Sequence, residues 1–546
     1  MRETGRAPRA FGPLCLGGAG CWAWRVQEWG VMQGSSAIEV ARELIAARRF
    51  GDALAVLSPF LRGGRVEARG LSLAVGVLLE TGQVEPAAYQ AERLVGAFPG
   101  VGLHHAVLGD CLRRQGRLAE ASASYERGLS LDGSLVGARL GLARCCRAMG
   151  KHAESLAHAE RAAREHAGVF EATALAATIR HDLGDADGAV ALLREAARQR
   201  PTDERVWRLM AFVGNSCASV SAEELAAWHS TASSLALHAA PVVAGVRGER
   251  EVERREEREV GRPLRIVLLS PDLREHPVSR FVLAFVRAAD RTRAEFVGYY
   301  LAPEEDERTR EVAGLCVGWR HVAGMPDGPL AAAIAAEGAD VLVDLAGFTN
   351  GGRPRVVAAR PARCVVSWIG YAHGLGMPGV VRLSDERVDR GSAEIAHVPG
   401  CFLADEPPRE ARECASRRSA ADRPVTLGCF AGMARLTPMT LDAWAGAMRA
   451  CPGTRLVLKN DALGDGVIRD RVVEALAGRG VERGRVECRG RSATRAEHFA
   501  AFEDIDLSLD TLPYNGTTTT CDALAMGVPV VTAVGETPAG RVGASP

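Results

Sequence analysis

Between Gly116 and Ser155 the chain reads GRLAEASASYERGLSLDGSLVGARLGLARCCRAMGKHAES, and two of its features recur at one spacing. Gly116 and Gly150 are 34 residues apart, and so are Ala121 and Ser155. Outward from this stretch the same step reaches Gly82 and Gly184, and it places Ala53, Ala87 and Ala189 in phase with the small residues. Pro99 and Pro201 stand three steps apart, each where a helix pair would end. A glycine that closes a helix, with a small residue where two helices approach closely, marks a 34-residue helix–turn–helix repeat, the tetratricopeptide. About five units are expected from Ala37 to roughly residue 215, within an array spanning residues 32–240. Stacked repeats form a concave face suited to extended peptides or protein partners. A plain spacer or dimerisation arm, and with it a homodimer, is the competing reading.

At 546 residues the chain is too long for one hydrophobic core. Lys+Arg and Asp+Glu both total 67, so no global charge draws it to nucleic acid or an anionic membrane. No run of about 18 apolar residues is present, so no membrane span is expected. The 14 cysteines show no CxxC pair and no metal spacing, which points to reduced thiols and a cytoplasmic location. Residues 1–31 faintly resemble a signal peptide, but Gly17, Gly18 and Gly20 break the apolar part. They are read as an unstructured extension, with Met32 as the start. Residues 241–262 contain the mixed-charge run Arg247–Val260, read as a solvated linker.

From Pro263 short β-branched runs alternate with helical stretches. The expected strands are Arg265–Ser270, Glu295–Leu301, Asp340–Ala346, Cys364–Trp368, Val425–Phe430, Arg455–Lys459, Arg485–Cys488, Ile505–Leu509 and Val528–Val534. Continuous apolar strands between helices predict parallel sheets covered on both faces. Two Rossmann-like halves follow, residues 263–408 and 424–546, joined by a linker at 409–423. In such sheets ligands bind beyond the carboxyl ends of strands, with anions at helix N-termini. The segment Leu509-Asp-Thr-Leu-Pro-Tyr-Asn-Gly-Thr-Thr-Thr-Thr-Cys-Asp522 ends a strand, turns at Pro513 and Gly516, and opens a helix. Thr517, Thr518 and Thr519 offer N–H groups and hydroxyls to a phosphate, and Asp522 offers a carboxylate to ribose. The competing reading is that the threonines only cap the helix. Asp504-Ile-Asp506 is read as structural rather than metal-binding. No G-x-G-x-x-G or P-loop is present.

Further motifs follow in order: Ser270-Pro-Asp-Leu-Arg-Glu-His276, Asp344-Leu-Ala-Gly-Phe-Thr349 with Ala359-Arg-Pro-Ala362, and Trp368-Ile-Gly-Tyr371. Then come Glu497-His498, Gly527-Val-Pro-Val-Val-Thr532 and Arg541-Val-Gly-Ala-Ser545. With the repeats, they make the chain resemble the O-linked N-acetylglucosamine transferase / SPINDLY family in its bacterial form. The resemblance implies a GT-B arrangement with the site between the two halves. It implies transfer of N-acetylglucosamine from UDP-GlcNAc to Ser or Thr hydroxyls of proteins, with inversion, no metal and no cofactor beyond the donor. Carried over by motif, Ala493, Arg495 and His498 would surround the uracil, Asp522 the ribose, and Gly516 with Thr517–Thr519 the diphosphate. Thr349, Gly370 and Tyr371 would line the sugar side. His276 would act as base or position the donor, and Arg435 would take up the leaving charge.

Several positions depart from the family pattern. Phe348 replaces His or Tyr, Ala372-His-Gly-Leu375 replaces a Pro/Gly/Thr turn, and Val380-Val381 replaces Asp-Tyr. Gly432 replaces a polar side chain, and Arg435 replaces a phosphate-binding lysine, with a planar fork in place of an ammonium group. Relatives are expected to continue past Pro546 with further helices. Two alternatives stay open: another donor (GDP-fucose, UDP-glucose) or an Asn acceptor, and a repeat scaffold with an inactive transferase region.

Overall fold

The computed structural model describes residues 36–47, 49–62, 66–243, 261–389, 394–415 and 424–546. The extension 1–31, the run Arg247–Val260 and the end of the 409–423 linker lie outside the described residues. The chain forms two compact units, one reaching to Ile179 and one from Arg180 onward.

The first unit is built of helical hairpins: Ser36–Ala46 with Phe50–Arg62, Ala68–Glu80 with Val84–Ala97, Gly102–Arg114 with Leu118–Leu131, and Val136–Ala148 with His152–Glu165. The helix Phe170–Asp182 crosses into the second unit. Gly82, Gly116, Gly150 and Gly184 adopt φ between 76° and 82°. Each is followed by an N–H that reaches five residues back, as from Arg117 to Leu112 O at 2.9 Å and from Lys151 to Cys146 O at 2.9 Å. That is the left-handed closure that satisfies orphan carbonyls at a helix end. The in-phase Ala53, Ala87, Ala121, Ser155 and Ala189 are all fully buried.

A Cβ added at Gly116 would meet nothing within 4 Å, so Gly116→Ala costs only the backbone preference. That is about 1–2 kcal/mol. The melting temperature of the first unit, followed by circular dichroism, should fall by about 2–8 °C. An unchanged melting temperature would show that the turn does not require glycine.

The second unit continues with Ala186–Gln199, Glu204–Gly214 and Ala222–His238, followed by two sheets. The first sheet contains β1 (Leu264–Ser270), β2 (Ala294–Tyr300), β3 (Gly318–His321), β4 (Val341–Asp344), β5 (Cys364–Ser367), β6 (Val380–Ser384) and β7 (Ile395–His397). Its order is β3-β2-β1-β4-β5-β6-β7, all parallel. The second contains β8 (Thr426–Cys429), β9 (Arg455–Lys459), β10 (Val486–Arg489), β11 (Leu507–Leu509) and β12 (Val530–Val531), in the parallel order β10-β9-β8-β11-β12. Both are doubly wound, with switch points between β1 and β4 and between β8 and β11, where crevices open beyond the strand ends.

Three strands escaped the sequence. β3 and β6 carry arginines that interrupt an apolar run, and β7 is a three-residue edge. The expected strand Val528–Val534 contracts to two paired residues, Val530–Val531, at an edge of the second sheet. The two halves belong to one packed body: Leu268, Phe281, Phe296 and Trp368 of the first half share a buried cluster with Cys521 and Val542 of the second half.

Candidate functional site

The carboxyl ends of the strands deliver the expected residues. The loop after β1 ends at His276, the loop after β4 holds Thr349, and the loop after β5 holds Gly370 and Tyr371. In the second half the turn after β8 carries Arg435, and the loop after β10 carries Ala493 and leads into the helix Arg495–Ala500 with Arg495 and His498. The loop after β11 carries Gly516 and Thr517 and leads into the helix that begins with Thr518 and Thr519. They fall into three groups.

The first group surrounds the start of the helix Thr518–Ala525. Thr517, the residue preceding it, makes no side-chain capping bond, so the capping reading of that threonine is not what the structure shows. Gly516 is needed for closeness, because a Cβ there would lie 2.6 Å from Thr519 Oγ1 and 2.8 Å from Thr520 Oγ1. Its N–H donates to Asp510 Oδ1 at 2.5 Å, and Asp510 also accepts from Thr511 N and Thr532 Oγ1. The Arg435 side chain lies against this turn, with Nη1 donating to Asn515 O at 2.8 Å and the guanidinium 4.3 Å from the centre of the Tyr514 ring. A cation thus stands beside a helix N-terminus, two groups that both favour an anion. Tyr514 and Thr517 also line a small cavity of about 30 Å³ whose other wall is Ser367, Ile369, Tyr371 and Ser384 of the first half.

The second group is Lys459, His498 and Asp522, set against Phe430 and Phe502. Lys459 Nζ lies 2.9 Å from His498 Nδ1, and His498 Nε2 lies 3.5 Å from Asp522 Oδ2. Burial lowers the Lys459 pKa; Arg489 lowers it further, while Asp522 and Glu497 raise it. Asp522 also pairs with Arg280 of the first half. Arg495 approaches Glu275, next to His276, at 3.7 Å. The Ala493 N–H donates to the Glu497 carboxylate at 2.8 Å, and Thr494 caps the helix Arg495–Ala500.

The third group lies on the first half. His276 caps the helix Pro277–Ala288, its Nδ1 accepting from Val278 N at 3.3 Å, which leaves the ring proton of the neutral form on Nε2. Burial lowers its pKa, opposed by Asp272 and reinforced by Arg274. The Thr349 hydroxyl donates to Ala346 O at 2.7 Å and so closes its own turn. Gly370 leaves no room for a side chain, since a Cβ there would overlap the Leu345 carbonyl.

The Tyr371 hydroxyl is held from helices preceding the sheets: Asn215 Nδ2 donates to it at 3.2 Å, and it lies 2.6 Å from His229 Nε2. His229 Nδ1 is 2.8 Å from Leu225 O, a contact only an N–H can make, so Nε2 accepts the tyrosine proton. His373 stacks on His229 at 4.3 Å, and Arg382 adds a positive charge nearby.

Burial pushes His229 down to about 4, helped by Arg382 and opposed by its bond to Leu225, below the 6.5 of a free imidazole. As pH falls from 6.5 toward 4, the unfolded chain takes up this proton before the folded one, so stability present above pH 6.5 is progressively lost. The expected loss is about 3 kcal/mol. Denaturant melts at pH 7 and pH 4.5 should show a steeper loss for the wild type than for His229→Gln. Parallel losses would remove His229 from this account.

Sequence reasoning missed Arg280, Asp405, Lys459, Asn215 and His229. Lys459 had a signal, a charge closing a buried strand at its carboxyl end. Among the described residues no group of three His, Cys, Asp or Glu side chains could hold a metal ion. Asp506 accepts from Thr426 N at 2.8 Å and Asp504 pairs with Arg489, both tying strands together. Among the described residues no helix is long and apolar enough to cross a membrane.

The profile of glycosyl transferase family 41 matches residues 238–381 and 411–546, just over half of the chain. Tetratricopeptide profiles match residues 77–135, 107–169 and 147–211. The chain is 34% identical over 295 residues to the probable UDP-N-acetylglucosamine–peptide N-acetylglucosaminyltransferase SPINDLY of Arabidopsis thaliana, covering 52% of this chain and 32% of that one. The SPINDLY of Solanum lycopersicum matches at 34% over 298 residues, with the same coverage. The chain therefore spans about a third of the length of these curated relatives. A mutant of Thermobaculum terrenum O-GlcNAc transferase superposes with a TM-score of 0.65 at 25% identity, covering 88% of this chain and 84% of that one.

Proposed function

Because the chain belongs to glycosyl transferase family 41, we propose that it transfers N-acetylglucosamine from UDP-GlcNAc to Ser or Thr hydroxyls of proteins, inverting the anomeric centre without a metal. The acceptor oxygen attacks C1 of the sugar, and its proton passes to an oxygen of the departing phosphate or to solvent. The C1–O bond to the β-phosphate breaks, and its electron pair leaves with UDP. Preorganised donors that meet this developing charge lower the barrier most. The observation that carries the reading is the helix start at Thr517–Thr519, uncapped by the Thr517 side chain and flanked by the Arg435 guanidinium.

In this reading the N–H groups of Thr517 to Thr519 and Arg435 bind the diphosphate, Asp522 the ribose, and Arg495 with His498 the uracil. Since the Ala493 N–H already serves Glu497, Ala493 would contact the base only through its carbonyl. Gly370 and Tyr371 shape the sugar side. Thr349, its hydroxyl turned inward, supports that wall. His276, with its proton on Nε2, donates a hydrogen bond to the donor substrate and positions it. The repeats present protein acceptors along their concave face. The twelve cysteines of the described residues are all free thiols, in keeping with a cytoplasmic site of action.

The test is incubation of the purified chain with labelled UDP-GlcNAc and cell lysate. Protein labelling with UDP release is the expected result, and neither appearing would overturn the proposal. A thermal-shift panel of nucleotide sugars separates the alternatives, because only a bound donor raises the melting temperature. A shift with GDP-fucose or UDP-glucose alone would replace the donor. No shift with any of them, together with capture of partners, would leave a scaffold.

A further inference from the structure

Arg280 lies one helical turn beyond His276, and its guanidinium is gripped from both halves. The Asp405 carboxylate receives Nε at 2.5 Å and Nη2 at 2.7 Å, a two-bonded fork, while Nη1 donates to Asp522 Oδ1. The side chains of Arg280, Asp405 and Asp522 are only 13%, 19% and 10% exposed. From the opposite side Asp522 faces His498 Nε2. The Lys459 ammonium at Nδ1 can only donate, so that ring carries its proton on Nε2, aimed at the carboxylate. Asp522 is thus held by a cation from one half, with an imidazole of its own half 3.5 Å away.

We propose that Arg280 is a positioning residue that couples closure of the two halves to binding of the nucleotide's ribose. The inference rests on the reading of Asp522 as the ribose acceptor. A carboxylate has about four lone-pair sites, so the bond from Arg280 leaves sites for vicinal hydroxyls. Asp405 fixes the guanidinium by its planar fork, which a lysine could not reproduce. With the halves apart Asp522 loses the group that orients it, so the ribose subsite is complete only when they are closed. By reciprocity, a nucleotide on Asp522 favours closure.

The test is the Kd for UDP, by titration calorimetry on the full chain, together with KM and kcat for donor turnover. Arg280→Gln is expected to weaken UDP binding and raise the donor KM by about tenfold to hundredfold, the worth of a charged hydrogen bond, with kcat changed far less. Asp405→Asn, which touches no ligand, should shift Kd in the same direction by a smaller factor, and Arg280→Lys should restore part of the loss. Combining Arg280→Gln with Asp405→Asn should be no worse than Arg280→Gln alone, and in an Asp522→Asn background Arg280→Gln should cost nothing more.

Wild-type Kd and KM in Arg280→Gln, or effects that add to Asp522→Asn, would overturn the coupling while leaving the transferase reading intact. A wild-type chain that binds neither UDP nor any nucleotide sugar would overturn that reading, and this inference with it. Should Arg280→Gln not fold, Asp405→Asn and Arg280→Lys carry the same test.

Discussion

Arg435→Ala is expected to lower donor turnover by about 10²–10³, the usual consequence of removing one donor aimed at a developing negative charge. The guanidinium lies against the Thr-rich turn through its bond to Asn515 O and its stacking on Tyr514. Removing it takes away a cation beside the proposed diphosphate site and one brace of the turn. The two effects are separable: the brace would show as a fall of a few degrees in melting temperature, the charge as lost turnover in a folded protein. Arg435→Lys keeps the charge without the fork, so it should retain more activity than alanine and less than arginine. Unchanged turnover in a folded Arg435→Ala protein would place the phosphate site elsewhere.

Gly370→Ala is expected to be among the most destabilising single substitutions in the chain. An added Cβ would stand 1.7 Å from the Leu345 carbonyl oxygen and 2.4 Å from its carbon. That carbonyl cannot yield easily, since Leu345 is fully buried and its own N–H donates to Leu269 O at 3.1 Å in the centre of the first sheet. An overlap of backbone with backbone belongs with the exceptional costs, at least about 4 kcal/mol. The second unit should melt about 10 °C lower or fail to fold, as measured by calorimetry. A protein with wild-type melting would mean that the β5 loop does not approach β4 as described.

These two residues illustrate what the sequence carries. The repeat was legible because a left-handed turn admits few residues other than glycine, so Gly82, Gly116, Gly150 and Gly184 record the period directly. The segment Leu509–Asp522 was legible for a related reason: a strand end, a turn and a polar helix start fall within fourteen residues. Arg280 and Asp405 are 125 residues apart, and nothing local in either betrays the other. The brace that Asn215 and His229 place on Tyr371 is likewise a product of packing.

Residue type also told less than residue surroundings. Thr349 and Ala493 lie on loops at strand ends, yet the hydroxyl of one and the N–H of the other serve nearby groups of the chain. Strands β3, β6 and β7 were hidden because edge and near-edge positions tolerate the arginines and histidines that break an apolar pattern.

The most direct test is a crystal structure of this chain with UDP bound. Diphosphate oxygens are expected within hydrogen-bonding distance of the backbone N–H groups of Thr517 to Thr519 and of the Arg435 guanidinium, with the ribose on Asp522. A diphosphate seated away from that turn, with Arg435 still on Tyr514 and Asn515, would contradict it.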